Sequence, residues 1–257
     1  MTASGWRLPA PPLRTGVLAA AAAGLAIAGL GGAVAVPWFG LSQLFVLKSG
    51  AVFLIAFAVA AGQVQPHHPF RRFGAANIMT SARLALVALL AATLGEPYTP
   101  ALAWAATELA IAVTVLDGTD GWLARRSGVS SAFGARFDME TDALLIMVLA
   151  LTAWRWDRAG MWVLACGLMR YGFVAAGWVW RWLEAPLPPS LRRQTVCVVQ
   201  IVTLGVIVAP VIPHWLSMSA AAVTLVLLAW SFLVDVAWLA RRTAAPASQT
   251  GAPPRPT

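Results

Sequence analysis

Five of the ten acidic residues of this 257-residue chain fall between positions 117 and 142, in the run DGTDGWLARRSGVSSAFGARFDMETD. Asp117 and Asp120 stand three apart, so on a helix they share a face. Gly121 and Ala124 continue that face, and their small size lets a bulky ligand lie close to the backbone. Gly134, Asp138 and Asp142 recur every four residues, which makes a second stripe on the next helix. The intervening SGVSS reads as a loop, with Ser130 or Ser131 placed to cap the second helix. Two neighbouring helices would thus present four carboxylates to each other. Such a group repels itself unless cations enter it, and Mg2+ or Mn2+ prefer oxygen ligands. Two ions held this way suit displacement at phosphorus, one stabilising the attacking oxygen and the other the leaving group. Arg125, beside the cluster, can pair with phosphate oxygens. A solvated acidic loop balanced by Arg125, Arg126 and Arg136 would explain the charges. It would not explain the helical register or the glycines between them.

The elements that must position these residues are membrane helices. Hydrophobic residues make up 60% of the chain and charged residues 11%, against roughly 25% charged in soluble domains. Runs at 15–37, 44–63, 84–94 and 161–180 carry few or no charges, and several reach the ~20 residues a helix needs to cross a bilayer. Only structures that pair every backbone group internally can face lipid. The expected fold class is therefore all-α, a polytopic helical bundle. Eight spans are expected, at about 16–36, 44–64, 77–95, 101–123, 136–155, 160–182, 195–213 and 216–239. Breakers at Pro37, Pro66 with Pro69, Pro97 with Pro100, Pro186 with Pro188 and Pro189, and Pro213 divide them.

The net charge of +8 comes from 17 Arg and one Lys against ten acids. The arginines sit in short loops between apolar runs rather than in one patch, which excludes nucleic acid as a partner. With both termini in the cytoplasm, Arg7, Arg14, Arg71, Arg72, Arg125, Arg126, Arg136, Arg181, Arg192, Arg193, Arg241 and Arg242 lie inside. Arg155 and Arg158 stay outside, near Asp157. Trp38, Trp154, Trp156 and Trp215 then fall at the outer ends as an interfacial belt. The expected location is the inner membrane, with the acidic cluster facing the cytoplasm. Ala33-Val34-Ala35 has the form of a signal cleavage site, but its apolar stretch exceeds a signal core and is read as an uncleaved helix. Residues 66–76 mix Phe70 and Phe73 with Arg71 and Arg72, as a segment lying on the membrane surface would. His67 and His68, adjacent and so pointing apart, are read as interfacial polar residues rather than metal ligands. Cys166 and Cys197 fall inside apolar runs and form no disulfide framework. The Pro- and Thr-rich tail reads as disordered.

Asp117-x2-Asp120-Gly121-x2-Ala124-Arg125-x8-Gly134-x3-Asp138-x3-Asp142 resembles the signature of the CDP-alcohol phosphatidyltransferase family at all eight fixed positions. Asn77-x2-Thr80-x2-Arg83 resembles the segment that opens the first core helix in many members. The resemblance covers about 77–240. It implies three parts: an extension over 1–65 with two transmembrane helices, a core over 66–242 with an interfacial segment and six spans, and a tail over 243–257. It further implies that Asp117, Asp120, Asp138 and Asp142 bind two divalent metals, Mg2+ or Mn2+, with Asp142 also the base on an acceptor hydroxyl. Gly121, Ala124, Arg125 and Gly134 would seat the CDP group, assisted by Asn77 and Thr80. The implied partners are CDP-diacylglycerol, a polar alcohol, membrane lipid and a second copy in a homodimer. The implied reaction is phosphatidyl transfer with release of CMP.

Other charges bear on the acceptor. Arg170 lies deep in the sixth span, where a charge costs roughly 2.5–3.5 kcal/mol on insertion scales. It either binds an acceptor phosphate together with Arg192 and Arg193 or pairs with Glu108 inside the membrane. Glu108 and Asp235 are read as hydrogen-bonded packing residues, and Glu140 as pointing off the aspartate stripe. The region of Met169, Phe173 and Trp178 is read as packing. Asp142 is followed by Ala143 rather than the Lys usual in phosphatidylglycerophosphate synthases, and the Ser-Leu-Ala stretch of phosphatidylserine synthases is missing. Glycerol 3-phosphate is the first expectation for the acceptor, just ahead of an inositol phosphate or another polar alcohol. Transfer from a CDP-alcohol to diacylglycerol is an alternative. A divalent-cation permease is another, disfavoured because such sites lie near the midplane between broken helices of internal repeats.

Overall fold

The computed structural model describes residues 11–62, 64, 68–127 and 131–244, with the side chains of 119–127 and 244 outside the description. Among the described residues it is all-helical, with eight α-helices: α1 (Leu13–Phe39), α2 (Leu44–Ala61), α3 (Ala75–Ala92), α4 (Pro100–Ser127), α5 (Ala132–Arg155), α6 (Leu164–Val179), α7 (Leu191–Ile207) and α8 (His214–Ala244). Short 3-10 turns at Met161–Val163 and Arg181–Glu184 flank α6. Six helical stretches are long and apolar enough to cross a membrane: α1, α2, α3, α4 to Gly118, Met161–Val179 and α8 to Thr243. α5 carries the second acidic stripe and α7 has 17 residues. The protein is a multi-pass membrane protein.

The helices follow the expected spans, with ends that differ for local reasons. α1 runs through Pro37 and stops at Gly40, whose φ of 65° reverses the chain while its N–H donates to the Val36 carbonyl. The left-handed glycine, not the proline, ends the helix. α7 stops at Ile207, short of the expected 213, ahead of Pro210.

In lipid, helices associate by close packing more than by burial of apolar area, so small residues mark the contacts. Along α1, Ala20, Gly24, Ala28 and Gly32 repeat at four-residue spacing and are all buried. A Cβ on Gly24 would stand 2.1 Å from Cζ of Phe53 in α2, and one on Gly32 would stand 3.3 Å from Cα of Val46. α1 and α2 both pack on α3. Gly167 plays the same part between α6 and α5, where its Cβ would meet the Met147 backbone at 2.7 Å.

α3 is the central element, with contacts to α1, α2, α4 and α5 and 61% of its span buried. Its buried residues run almost all round the helix, as expected for a helix enclosed by others. Its start is fixed by residues 68–74, which are irregular. His68 and Phe73 are buried, and both rings pack against Phe133 of α5, His68 edge-on and Phe73 tilted. His68 and Phe73 thus anchor the segment on the core, while Arg71 and Arg72 between them stay exposed.

Two further expectations are corrected. Trp156 is buried against Tyr98 rather than belonging to an interfacial belt, whereas Trp38, Trp154 and Trp215 are exposed. Glu108 is exposed on α4 beside Trp104, Ile111 and Val115. It is not a hydrogen-bonded packing residue and does not pair with Arg170, whose partner is Glu140 at 2.5 Å.

Candidate active site

The acidic stripes of α4 and α5 meet at one end of the bundle, facing α3. α5 begins there because Ser131 caps it, its hydroxyl accepting from Gly134 N–H at 3.0 Å. The cap is itself held. His68 Nε2 lies 2.8 Å from the Arg72 carbonyl and Nδ1 lies 2.9 Å from the Ser131 hydroxyl. A carbonyl only accepts, so Nε2 carries the proton and, in the neutral ring, Nδ1 accepts from Ser131. With both nitrogens engaged, His68 is a positioning group and not a ligand. His67 lies outside the described residues.

Asp117, Asp138 and Asp142 bring carboxylate oxygens within 4.8 Å of one another. All are partly exposed, Asp138 most at 40% and Asp142 least at 18%. Into this group reaches Arg83 of α3, whose side chain is 1% exposed. Its Nη1 donates to Asp138 Oδ1 at 2.5 Å. Its Nη2 donates to Asp142 Oδ1 at 2.6 Å and pairs with Asp117 Oδ1 at 2.7 Å. A planar fork that spans several carboxylates is a geometry lysine cannot supply. With the three acids ionised, one guanidinium leaves the group short of positive charge. The donor set, hard oxygens open on one side to water, suits a divalent cation.

Around the cluster, Asn77 and Thr80 are buried on α3, about two turns and one turn before Arg83 respectively. Asn77 donates through Nδ2 to the Phe73 carbonyl, and Thr80 donates to the Ala76 carbonyl at 3.1 Å. Gly134 packs directly on Asn77, since a Cβ there would lie 2.8 Å from its Oδ1. Asp120, Gly121, Ala124 and Arg125 lie on the last turns of α4, and their side chains fall outside the described residues. Gly128, Val129 and Ser130 lie outside them entirely.

This arrangement agrees with a family match obtained independently of the geometry. The family model for CDP-alcohol phosphatidyltransferases matches residues 73–236, more than half of the chain. The chain belongs to the CDP-alcohol phosphatidyltransferase family. Comparison with curated proteins and with solved structures gave no match. Family membership makes the protein a CDP-alcohol phosphotransferase enzyme of phospholipid synthesis working on lipid in a membrane. The matched region starts at Phe73, so it takes in α3 to α8 and leaves out α1 and α2.

The three arginines considered for the acceptor fall into two ion-paired groups. Arg170 of α6 pairs with Glu140 of α5, which is exposed and off the aspartate stripe. Arg192 and Arg193, at the start of α7, both bind Asp235 of α8. Arg192 also donates to the Ser231 hydroxyl at 2.6 Å and sits over the Trp230 ring. Arg193 donates to the Pro188 carbonyl. The residue that sequence reasoning gave no role is Arg83. Its signal was a lone cation inside an otherwise apolar span, three residues after Thr80.

Proposed function

We propose that the protein transfers a phosphatidyl group from CDP-diacylglycerol to a polar alcohol, releasing CMP. The observation that carries this reading is the convergence of Asp117, Asp138 and Asp142 from two helices, in a chain of this family. The alcohol oxygen bonds to the phosphorus that bears diacylglycerol, the bond from that phosphorus to CMP breaks, and Asp142 takes the hydroxyl proton. Asp117, Asp120, Asp138 and Asp142 would hold two divalent ions, Mg2+ or Mn2+. When bound, these ions supply charge neutralisation at the transferring phosphate and the leaving oxygen.

Gly121, Ala124, Arg125 and Gly134 would seat the CDP group, assisted by Asn77 and Thr80. Arg170, Arg192 and Arg193 are the groups for a phosphorylated acceptor, with glycerol 3-phosphate as first candidate and an inositol phosphate next. Any such phosphate competes with Glu140 and Asp235 for them. The arginine bias supports an active site on the cytoplasmic side of the inner membrane. Residues 1–65 form an added two-helix unit on a core at 66–242, and the working unit is a homodimer.

The test gives purified protein CDP-diacylglycerol, Mg2+ or Mn2+ and a panel of alcohols, and follows CMP release. Asp142→Asn should abolish release, while Asp157→Asn, on the far side of the bundle, should leave it nearly unchanged. Equal loss from both, or ion flux without CMP, would overturn the assignment.

A further inference from the structure

The carboxylates that converge for a metal already hold a cation supplied by the protein. Arg83 Nη2 lies 2.6 Å from Asp142 Oδ1 and 2.7 Å from Asp117 Oδ1, while Nη1 lies 2.5 Å from Asp138 Oδ1. We propose that Arg83 is the protein's own counter-ion for this cluster, and that a divalent cation must displace it from these oxygens to bind. This inference rests on the metal reading of the cluster.

Three arguments carry it. The first is geometric. Mg2+ binds oxygen at ~2.0–2.1 Å, so an ion using those same oxygens would stand in the space the guanidinium nitrogens occupy. The second is charge. Four aspartates are balanced by two divalent ions, and a guanidinium retained among them would be in excess. The third is the cost of the alternative without Arg83. Three half-buried carboxylates with oxygens within 4.8 Å of one another would repel and splay without a cation between them. Arg83, fixed on the enclosed helix α3, keeps the oxygens gathered. The same contacts lower the affinity for metal, because each ion that binds must first break hydrogen-bonded ion pairs.

Full-length protein stripped with chelator is titrated with Mn2+ alone, and free Mn2+ is read by electron paramagnetic resonance. Asp138→Asn serves as the control for binding at this cluster. Arg83→Gln should bind Mn2+ about tenfold tighter than the wild type. Arg83→Lys, which keeps the charge but loses the fork, should fall between the two. Tighter binding in the Lys variant separates competition for the oxygens from a general effect of net charge. The thermal midpoint adds a readout that a merely structural arginine would not give: Arg83→Gln should lose stability in chelator and recover it on adding Mn2+. If the Gln variant does not fold, Arg83→Lys carries the affinity test. Mn2+ affinity in the folded variants equal to or weaker than the wild type would overturn the inference while leaving the metal site intact. No Asp138-dependent Mn2+ binding in any form would remove the metal site, and this inference with it.

Discussion

Gly134 of α5 and Asn77 of α3 are in contact at the base of the aspartate cluster, with only 2.8 Å between the Asn77 amide oxygen and the point a Cβ on Gly134 would occupy. Asn77 cannot easily swing away, because it is buried and its Nδ2 is bonded to the Phe73 carbonyl. Gly134→Ala therefore forces α3 and α5 apart or breaks that bond. Overpacking of this kind costs about 1–3 kcal/mol, partly offset by the roughly 0.5–1 kcal/mol a helix gains from Ala over Gly. Thermal stability should fall by the difference, at most about 2.5 kcal/mol, whereas CMP release should fall by about tenfold or more, since small displacements at a reacting centre are amplified in rate. Full activity in Gly134→Ala would mean that this contact does not position the site.

Glu96 ties the α3–α4 loop to α2. Lys48 donates to its Oε1 at 2.5 Å, and Ser42 donates through its hydroxyl at 2.7 Å and its backbone N–H at 3.0 Å. Burial alone would raise the Glu96 carboxyl, but the hydrogen bonds from Lys48 and Ser42 outweigh it and hold the group below its ordinary value of 4.5. A depressed folded-state value stabilises the protein above the unfolded value and loses that contribution as pH falls through the folded one. Glu96→Gln should lower stability at pH 7 by about 1.5–3 kcal/mol, the range for hydrogen bonds to a charged group. The gap to the wild type should close as the pH drops below about 4.5. Melting curves from pH 3 to 8 would show it, and a gap that stays constant with pH would contradict the assignment.

The part of the site written as periodicity was legible in the sequence. Asp117 follows the apolar pattern of one helix and Asp138 and Asp142 that of the next, so a short loop had to bring them together. The eight helices were legible for the same reason, six of them with stretches long and apolar enough to cross a membrane. Arg83 was harder, because its role depends on how α3 is rotated against α4 and α5, and spacing within one helix does not encode that rotation. The network of His68, Ser131 and Gly134 was hidden because residues 68–74 are irregular and show no period at all. Arg170 was misplaced in one of its two readings because burial of a charge fixes the need for a partner, not its identity. Glu140 sits closer to it than Glu108 does.

Glu108 leaves a carboxylate on the exposed face of α4, eight residues into the span, with no hydrogen bond or ion pair among the described residues. An acid near the centre of a membrane helix costs roughly 2.5–3.5 kcal/mol. A second copy laying the same stripe against it would let two carboxyls share a hydrogen bond and remove both from lipid. Glu108→Leu should then weaken self-association several-fold in lipid vesicles, as read by energy transfer between labelled copies. Undiminished association would place the dimer contact on another face.

Asp235 pairs with both Arg192 and Arg193, so it occupies guanidinium donors that another anion could use. If the acceptor carries a phosphate, that phosphate and the Asp235 carboxylate draw on the same guanidinium donors. Asp235→Asn should then lower KM for the phosphorylated acceptor while changing kcat little, because the gain is in binding before the chemical step. Arg193→Gln should raise the same KM. A neutral alcohol accepted by the enzyme should show neither change, since it offers no charge for the arginines to meet. Steady-state CMP release at varied acceptor concentration reads all three. Were KM for the phosphorylated acceptor indifferent to both substitutions, the arginine pair would be a fastening between α7 and α8, and the acceptor pocket would have to be sought beside Arg170.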